Sequence, residues 1–264
     1  NPTLTLDGTN ISSNATIDAS AVSFQLVTFN RTGWSAGSNT VTIASGTTVP
    51  LGDSPVVTLY AASSGTTGLT NSGTITVGTG TFAANIDGAF TNNGTIKTKT
   101  VTKTNSQGGS YSNGTNSTVE FLGDGDSATD SFTFSGFATS YYHLKLNSTD
   151  GASDTFAQGA NVTVSGNYTL TAGTHASKSY SLTVTGTSTV QTGGVFELYG
   201  AETLPTLTLN SGSTVKYTGD GDAANDSYTL KAWTYHHLTI AGTDAGDSFA
   251  VTGTLTLGGN FAQS

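Results

Sequence analysis

The chain has 264 residues, of which only 9% are charged: 8 Lys and Arg against 17 Asp and Glu. The net charge of −9 gives nucleic acid and anionic membranes no basic footprint. The absence of Cys removes disulfides, catalytic thiols and thiolate metal sites. The residues that build helical bundles are scarce, while 52 Thr, 31 Ser and 34 Gly stand beside 12 Phe and 10 Tyr. Hydroxyl, β-branched and aromatic residues favour strands, and Gly with Asn favours turns, so the expectation is an all-β protein with a real core.

Taken in chain order, the first residue is Asn1, and no apolar run reaches the ~18 residues of a membrane span. The expectation is therefore a processed or trimmed chain whose targeting signal has been removed. The first predicted strand is TLTL (Thr3, Leu4, Thr5, Leu6). The only arginine, Arg31, and Trp34 lie outside any repeat, in NRTGW. Next come two echoes of one unit, LTNSGTI (69–75) and FTNNGTI (90–96), 21 residues apart.

A longer duplication follows. STVEFLGDGDSATDSFTF (117–134) matches STVKYTGDGDAANDSYTL (213–230), and YHLKLNSTD (142–150) matches HHLTIAGTD (236–244). DTFAQGANVTVSGNY (154–168) matches DSFAVTGTLTLGGNF (247–261), and PTLTLDG (2–8) resembles PTLTLNSG (205–212). This divides the chain into an N-terminal β-rich region (1–110), a first copy (111–212) and an incomplete second copy (213–264), expected to form one continuous rod.

Within the copies, runs such as VTVSGNYTL and YSLTVTG put every second residue on one face and stop at SG, NG, GG or DG turns. Several short strands per ~20 residues fit a right-handed parallel β-helix, or β-solenoid, of about 13 coils and roughly 60 Å at the inter-strand spacing. β-Sandwich modules are the alternative, because short strands at close spacing also suit that fold. Stacked coils would align Thr, Ser and Asn in hydrogen-bonded ladders, whereas like charges stacked ~5 Å apart would repel. Low charge follows from such stacking.

The quoted motifs resemble those of large bacterial cell-surface β-helix proteins, whose repeats read in outline STVxYxG…YYxLxI…LTVxGN…YSLTVxG. Here that pattern is carried by STVEFLG, YYHLKL, VTVSGNYTL and YSLTVTG, and again by STVKYTG, YHHLTI and LTLGGNF, over roughly residues 110–264. The resemblance implies β-helix modules of secreted adhesins, autotransporter-like passengers and surface fibres. It carries over no catalytic residue.

The strongest candidate for chemistry is Asp124, Asp126 and Asp130, repeated as Asp220, Asp222 and Asp226. Oxygen ligands at alternating positions on a Gly-containing loop suit Ca2+, although neither copy has the EF-hand's bidentate Glu. The competing reading is a solvated acidic turn. Asp150 and Asp154, or Asp244 and Asp247, could add ligands from a neighbouring loop. Tyr141, Tyr142 and His143 correspond to Tyr235, His236 and His237. Such a row reads as a glycan-stacking platform or as a core stack with an outer ladder, and a zinc reading lacks a third nearby ligand. Trp233 reads as core or cap.

Ten sequons are candidate glycosylation sites: Asn10, Asn14, Asn30, Asn93, Asn113, Asn116, Asn147, Asn161, Asn167 and Asn225. About six are expected from composition alone. The acids that recur are duplicated, no lysine recurs beside them, and no nucleophile elbow is present, so catalysis is not expected.

The second copy stops mid-repeat and the chain starts with a strand of the type that would come next. Either the sequence is a fragment of a longer protein, or copies assemble head to tail, with Thr3–Leu6 pairing near Leu255, Leu257 and Phe261 of a neighbouring copy; the second is the expectation taken forward. The function expected is that of a non-enzymatic extracellular structural protein, the subunit of a filament, sheath or layer. The alternatives are an adhesin or glycan-binding stalk and a β-helix polysaccharide-degrading enzyme.

Overall fold

A computed structural model describes residues 3–6, 15–17, 26–29, 40–50, 56–59, 68–76, 83–86, 89–99, 110–150 and 154–264. Apart from one 3-10 turn at Phe134–Gly136, the described elements are strands. Parallel strands stack into a β-solenoid of about 8 turns. The sandwich alternative is excluded by direction: the described ladders, from Leu69–Phe90 to Leu238–Phe261, run parallel. The turns are fewer than 13, and many coils are longer than 20 residues. Ladder partners lie between 19 residues apart (Val190 and Leu209) and 28 apart (Val41 and Leu69). The chain forms two compact units, Asn1–Asp124 and Gly125–Ser264, and the boundary falls inside the first GDGD loop.

In the first unit, successive described coils place two short strands around a corner, and Val56–Leu59 pairs with Ala83–Ile86 in a further ladder. Gly68–Asn71 then Thr74–Thr76 lies beneath Ala89–Asn92 then Thr95–Thr98, with Ser110–Asn113 then Thr118–Phe121 next. The sequence echo is therefore a physical stack: Leu69 sits under Phe90 and Ile75 under Ile96, all buried. Alternation decides the face, since Thr70, Thr74 and Thr76 point away from the core between these apolar residues. At the corner, a Cβ on Gly94 would lie 2.1 Å from the Gly73 carbonyl oxygen, so the coils can approach only without a side chain there.

The second unit is organised around one register column. Phe156, His175, Phe196, Val215 and Leu238 follow one another through successive strands, every one of them 0% exposed. The next member, Phe261, pairs with Leu238 but is 52% exposed. The nine-residue strand Tyr168–Ala176 carries two ladders at once. Its first half pairs with His143–Asn147 and Ser188–Val190, its second with Thr155–Ala157 and Gly194–Leu198.

The expected polar ladders are present. Asn71 Nδ2 donates to Asn92 Oδ1 at 2.8 Å, and Asn92 Nδ2 donates to Asn113 Oδ1 at 3.3 Å. Further along, Asn210 bonds Gln191 and Ser227 bonds Ser248. Where charges do meet in a ladder, they are opposite. Lys97 pairs with Glu120 at 3.3 Å and Lys216 with Glu197 at 2.8 Å, each pair in direct register. No described helix is long and apolar enough to cross a membrane.

Candidate functional site

The two GDGD loops share one backbone trace. Gly123, Gly125 and Ser127 have φ values of 69°, 76° and 69°, and Gly219, Gly221 and Ala223 have 68°, 74° and 67°. In both copies the second Asp closes its own turn: Asp126 Oδ1 accepts the Ala128 N–H at 2.7 Å, and Asp222 Oδ1 accepts the Ala224 N–H at 2.8 Å. To that extent the loop is a self-supported acidic turn. In the first copy Asp124 closes one unit, while Asp126 and Asp130 belong to the other. There Asp154 is fully buried and accepts the Ser148 hydroxyl at 2.8 Å.

The second copy lies wholly within one unit, and its loop is joined by another. Strand Ser227–Thr229 pairs in parallel with Ser248–Ala250, which brings the residues preceding each strand together. Asp220, Asp222 and Asp226 offer carboxylate oxygens that all lie within 4.8 Å of one another, as do those of Asp220, Asp244 and Asp247. Asp220 is thus shared by both groups. Asp247 Oδ1 accepts the Asp226 N–H at 3.1 Å, a direct link between the two coils. Burial first, and then repulsion from Asp220, Asp222, Asp247 and Asp244, pushes the Asp226 carboxyl above its ordinary pKa.

Beside this cluster a pocket is lined by Gly200, Asp220, Asp226 and Tyr228. Tyr228 was not a sequence candidate, although the repeat alignment marks it: DSFTF of the first copy becomes DSYTL in the second, so Phe132 is replaced by Tyr228. Burial chiefly, and then Asp220, raise the Tyr228 hydroxyl's pKa.

The aromatic row resolves into core and clamp. Tyr141 and Tyr235 are 2% and 1% exposed, so neither forms a glycan-stacking platform. The Tyr141 hydroxyl donates to the Phe134 carbonyl, and that of Tyr235 to the Lys231 carbonyl. His143 Nδ1 accepts the Asn167 N–H at 2.9 Å, and His237 Nδ1 accepts the Asn260 N–H at 3.0 Å, so these histidines fasten one coil to the next. No metal-ligating group among the described residues contains a histidine. Trp233 is buried against Phe196 and Tyr235, whereas Arg31 and Trp34 lie outside the described residues.

Of the sequons, Asn10, Asn14 and Asn30 lie outside the described residues, and Asn93, Asn116, Asn161, Asn167 and Asn225 are exposed. Asn147 is half-buried, and Asn113 is spent in the asparagine ladder, where its Oδ1 also accepts the Tyr111 hydroxyl. The assembly candidates Thr3–Leu6 form a strand in parallel register with Leu26–Phe29. Leu255 and Leu257 are half-buried, and Phe261 is exposed. Compared with known proteins, the chain matches no family model, no curated protein and no solved structure.

Proposed function

We propose that the chain is a non-enzymatic structural module of an extracellular surface assembly, a filament, sheath or layer in which copies pair head to tail. The observation that carries this reading is the set of ladders through which neutral side chains bond one coil to the next, Asn71–Asn92–Asn113, Gln191–Asn210 and Ser227–Ser248. Along the apolar column, Phe156 to Leu238 are fully buried and Phe261 is 52% exposed. A parallel stack that bonds coil to coil through neutral side chains grows by adding one more strand at such an edge. Among the described residues, Phe261–Gln263 pairs only with His237–Ile240, and Thr3–Leu6 only with Leu26–Phe29.

The partner proposed for the Phe261–Gln263 strand is the Thr3–Leu6 strand of a second copy. Its sequence PTLTL recurs at 205–209, where Thr208–Leu209 already stacks on Thr189–Val190. The resemblance of the repeats to bacterial surface β-helices supports the same reading. Electron microscopy and sedimentation of the purified chain test it. Filaments or concentration-dependent oligomers are expected, and deletion of residues 1–9 should abolish them. Monomers at every concentration, or assembly unchanged by the deletion, would overturn the proposal.

A further inference from the structure

Three observations at the second acidic loop have no part in the stacking described above. Five aspartates, Asp220, Asp222, Asp226, Asp244 and Asp247, converge from two successive coils, and no lysine or arginine among the described residues pairs with them. The Oδ2 atoms of Asp244 and Asp247 are buried and have no hydrogen-bond partner. Tyr228 is only 6% exposed, its hydroxyl is directed at the Asp220 carboxylate without a well-formed hydrogen bond, and the residue lines the same pocket as Asp220 and Asp226. Buried acceptors without a donor are costly.

We propose that these two loops hold a divalent cation of the calcium class, bound by the carboxylates of Asp220, Asp222, Asp226, Asp244 and Asp247. A cation satisfies the orphaned Asp244 and Asp247 oxygens and neutralises the mutual repulsion of the five groups. The donor set is oxygen only, which selects a hard cation over zinc. Many carboxylates on glycine-containing loops suit the large, variable coordination sphere of Ca2+ better than the rigid octahedron of Mg2+. The Tyr228 hydroxyl is a positioning group: it donates to a ligating carboxylate, or to a water on the ion. Two of the aspartates are already oriented from behind, Asp222 by the Ala224 N–H and Asp247 by the Asp226 N–H. Because Asp220–Asp226 and Asp244–Asp247 belong to consecutive coils, the ion acts as a staple across the Ser227–Ser248 ladder. The first copy carries Phe132 in place of Tyr228 and lacks the hydroxyl.

The test uses the full chain, freed of metal by a chelator and then titrated with CaCl2, with MgCl2 as the comparison. Amide hydrogen exchange is followed across the chain, together with urea unfolding. Calcium should slow exchange in 219–228 and in 242–250 together. At calcium 100-fold above its dissociation constant, the unfolding equilibrium constant should fall about 100-fold. The double variant Asp244→Asn/Asp247→Asn should lose both effects while exchange in Tyr168–Ala176 stays as in the unmodified chain. Exchange in the two loops unaffected by calcium, protection confined to other segments, or a double variant with an undiminished calcium response would overturn the proposal. The readout is local, so it is independent of whether copies assemble.

Discussion

His175 shows how a titratable residue is held in a β-solenoid core. It occupies a position in the aromatic column, with its ring centroid 4.7 Å from that of Phe196 and 5.3 Å from that of Phe134. Its tautomer follows from its neighbours. Gln158 Nε2 donates to the carbonyls of Ala160 and Ser181, which turns Oε1 toward the imidazole as an acceptor only. His175 Nε2 therefore carries the proton at 3.0 Å from Gln158 Oε1, and Nδ1 accepts the Tyr168 hydroxyl at 2.6 Å. Burial drives the His175 pKa from 6.5 down to about 3. The unfolded chain consequently binds more protons between those two values, so stability present above pH 6.5 is lost as the pH falls toward 3. The contribution approaches ~1.4 kcal/mol per pH unit over that window. Asp226, whose carboxyl is pushed up, acts in the opposite sense, since its folded form holds its proton more tightly. Urea midpoints over a pH series should therefore fall on acidification, and His175→Phe should flatten that slope while lowering stability at neutral pH. Equal slopes in the two proteins would sink this account of His175.

At the scale of the strand and its corner, the asparagine ladder does what hydrophobic alternation cannot. Alternation places Leu69 and Ile75 inward, but leaves the residue at the bend facing a narrow, fully enclosed corner. Asn fits because it is both donor and acceptor. Asn92 gives Nδ2 to Asn113, and takes both the Asn71 amide and the Gly94 N–H on Oδ1. Thr or Ser could fill only part of that set. Asn92→Ala removes three bonds and leaves the buried Asn71 amide and Gly94 N–H each short of an acceptor, which costs about 1–3 kcal/mol per orphaned group before relaxation. Asn93→Ala, at the exposed next position, should stay within about 0.5 kcal/mol. The denaturant midpoints of the two variants check the contrast, and similar losses would show that the ladder carries no special weight. A Gly94→Ala change at the same corner should be severe, because its new Cβ meets backbone rather than a movable side chain.

Across the whole molecule, what was legible in the sequence was whatever repeats. The echo of LTNSGTI in FTNNGTI fixed the coil register to the residue, and the paired GDGD loops fixed two identical turns. What was illegible depends on the third dimension. Asp247 reaches Asp226 only because Ser248 stacks on Ser227, and the choice between platform and core stack for Tyr141 is made only once its hydroxyl is seen bonded to Phe134. The same dependence on stacking limits how far a defect spreads. Each coil touches chiefly the one before and the one after, so stability is a sum of coils and nearest-neighbour interfaces. Phe196 is the strongest probe, being fully buried and in ring contact with Tyr168, His175 and Trp233. Phe196→Ala should cost about 3–5 kcal/mol where it acts. Native-state hydrogen exchange should then accelerate in the flanking strands Tyr168–Ala176 and Thr214–Tyr217, whose side chains border the cavity. Exchange in Gly68–Asn71 and Ala89–Asn92, which share no ladder with Phe196, should change little. A uniform acceleration through all four strands would instead make the protein a single cooperative body, in which the energy of one coil is not separable from that of the rest.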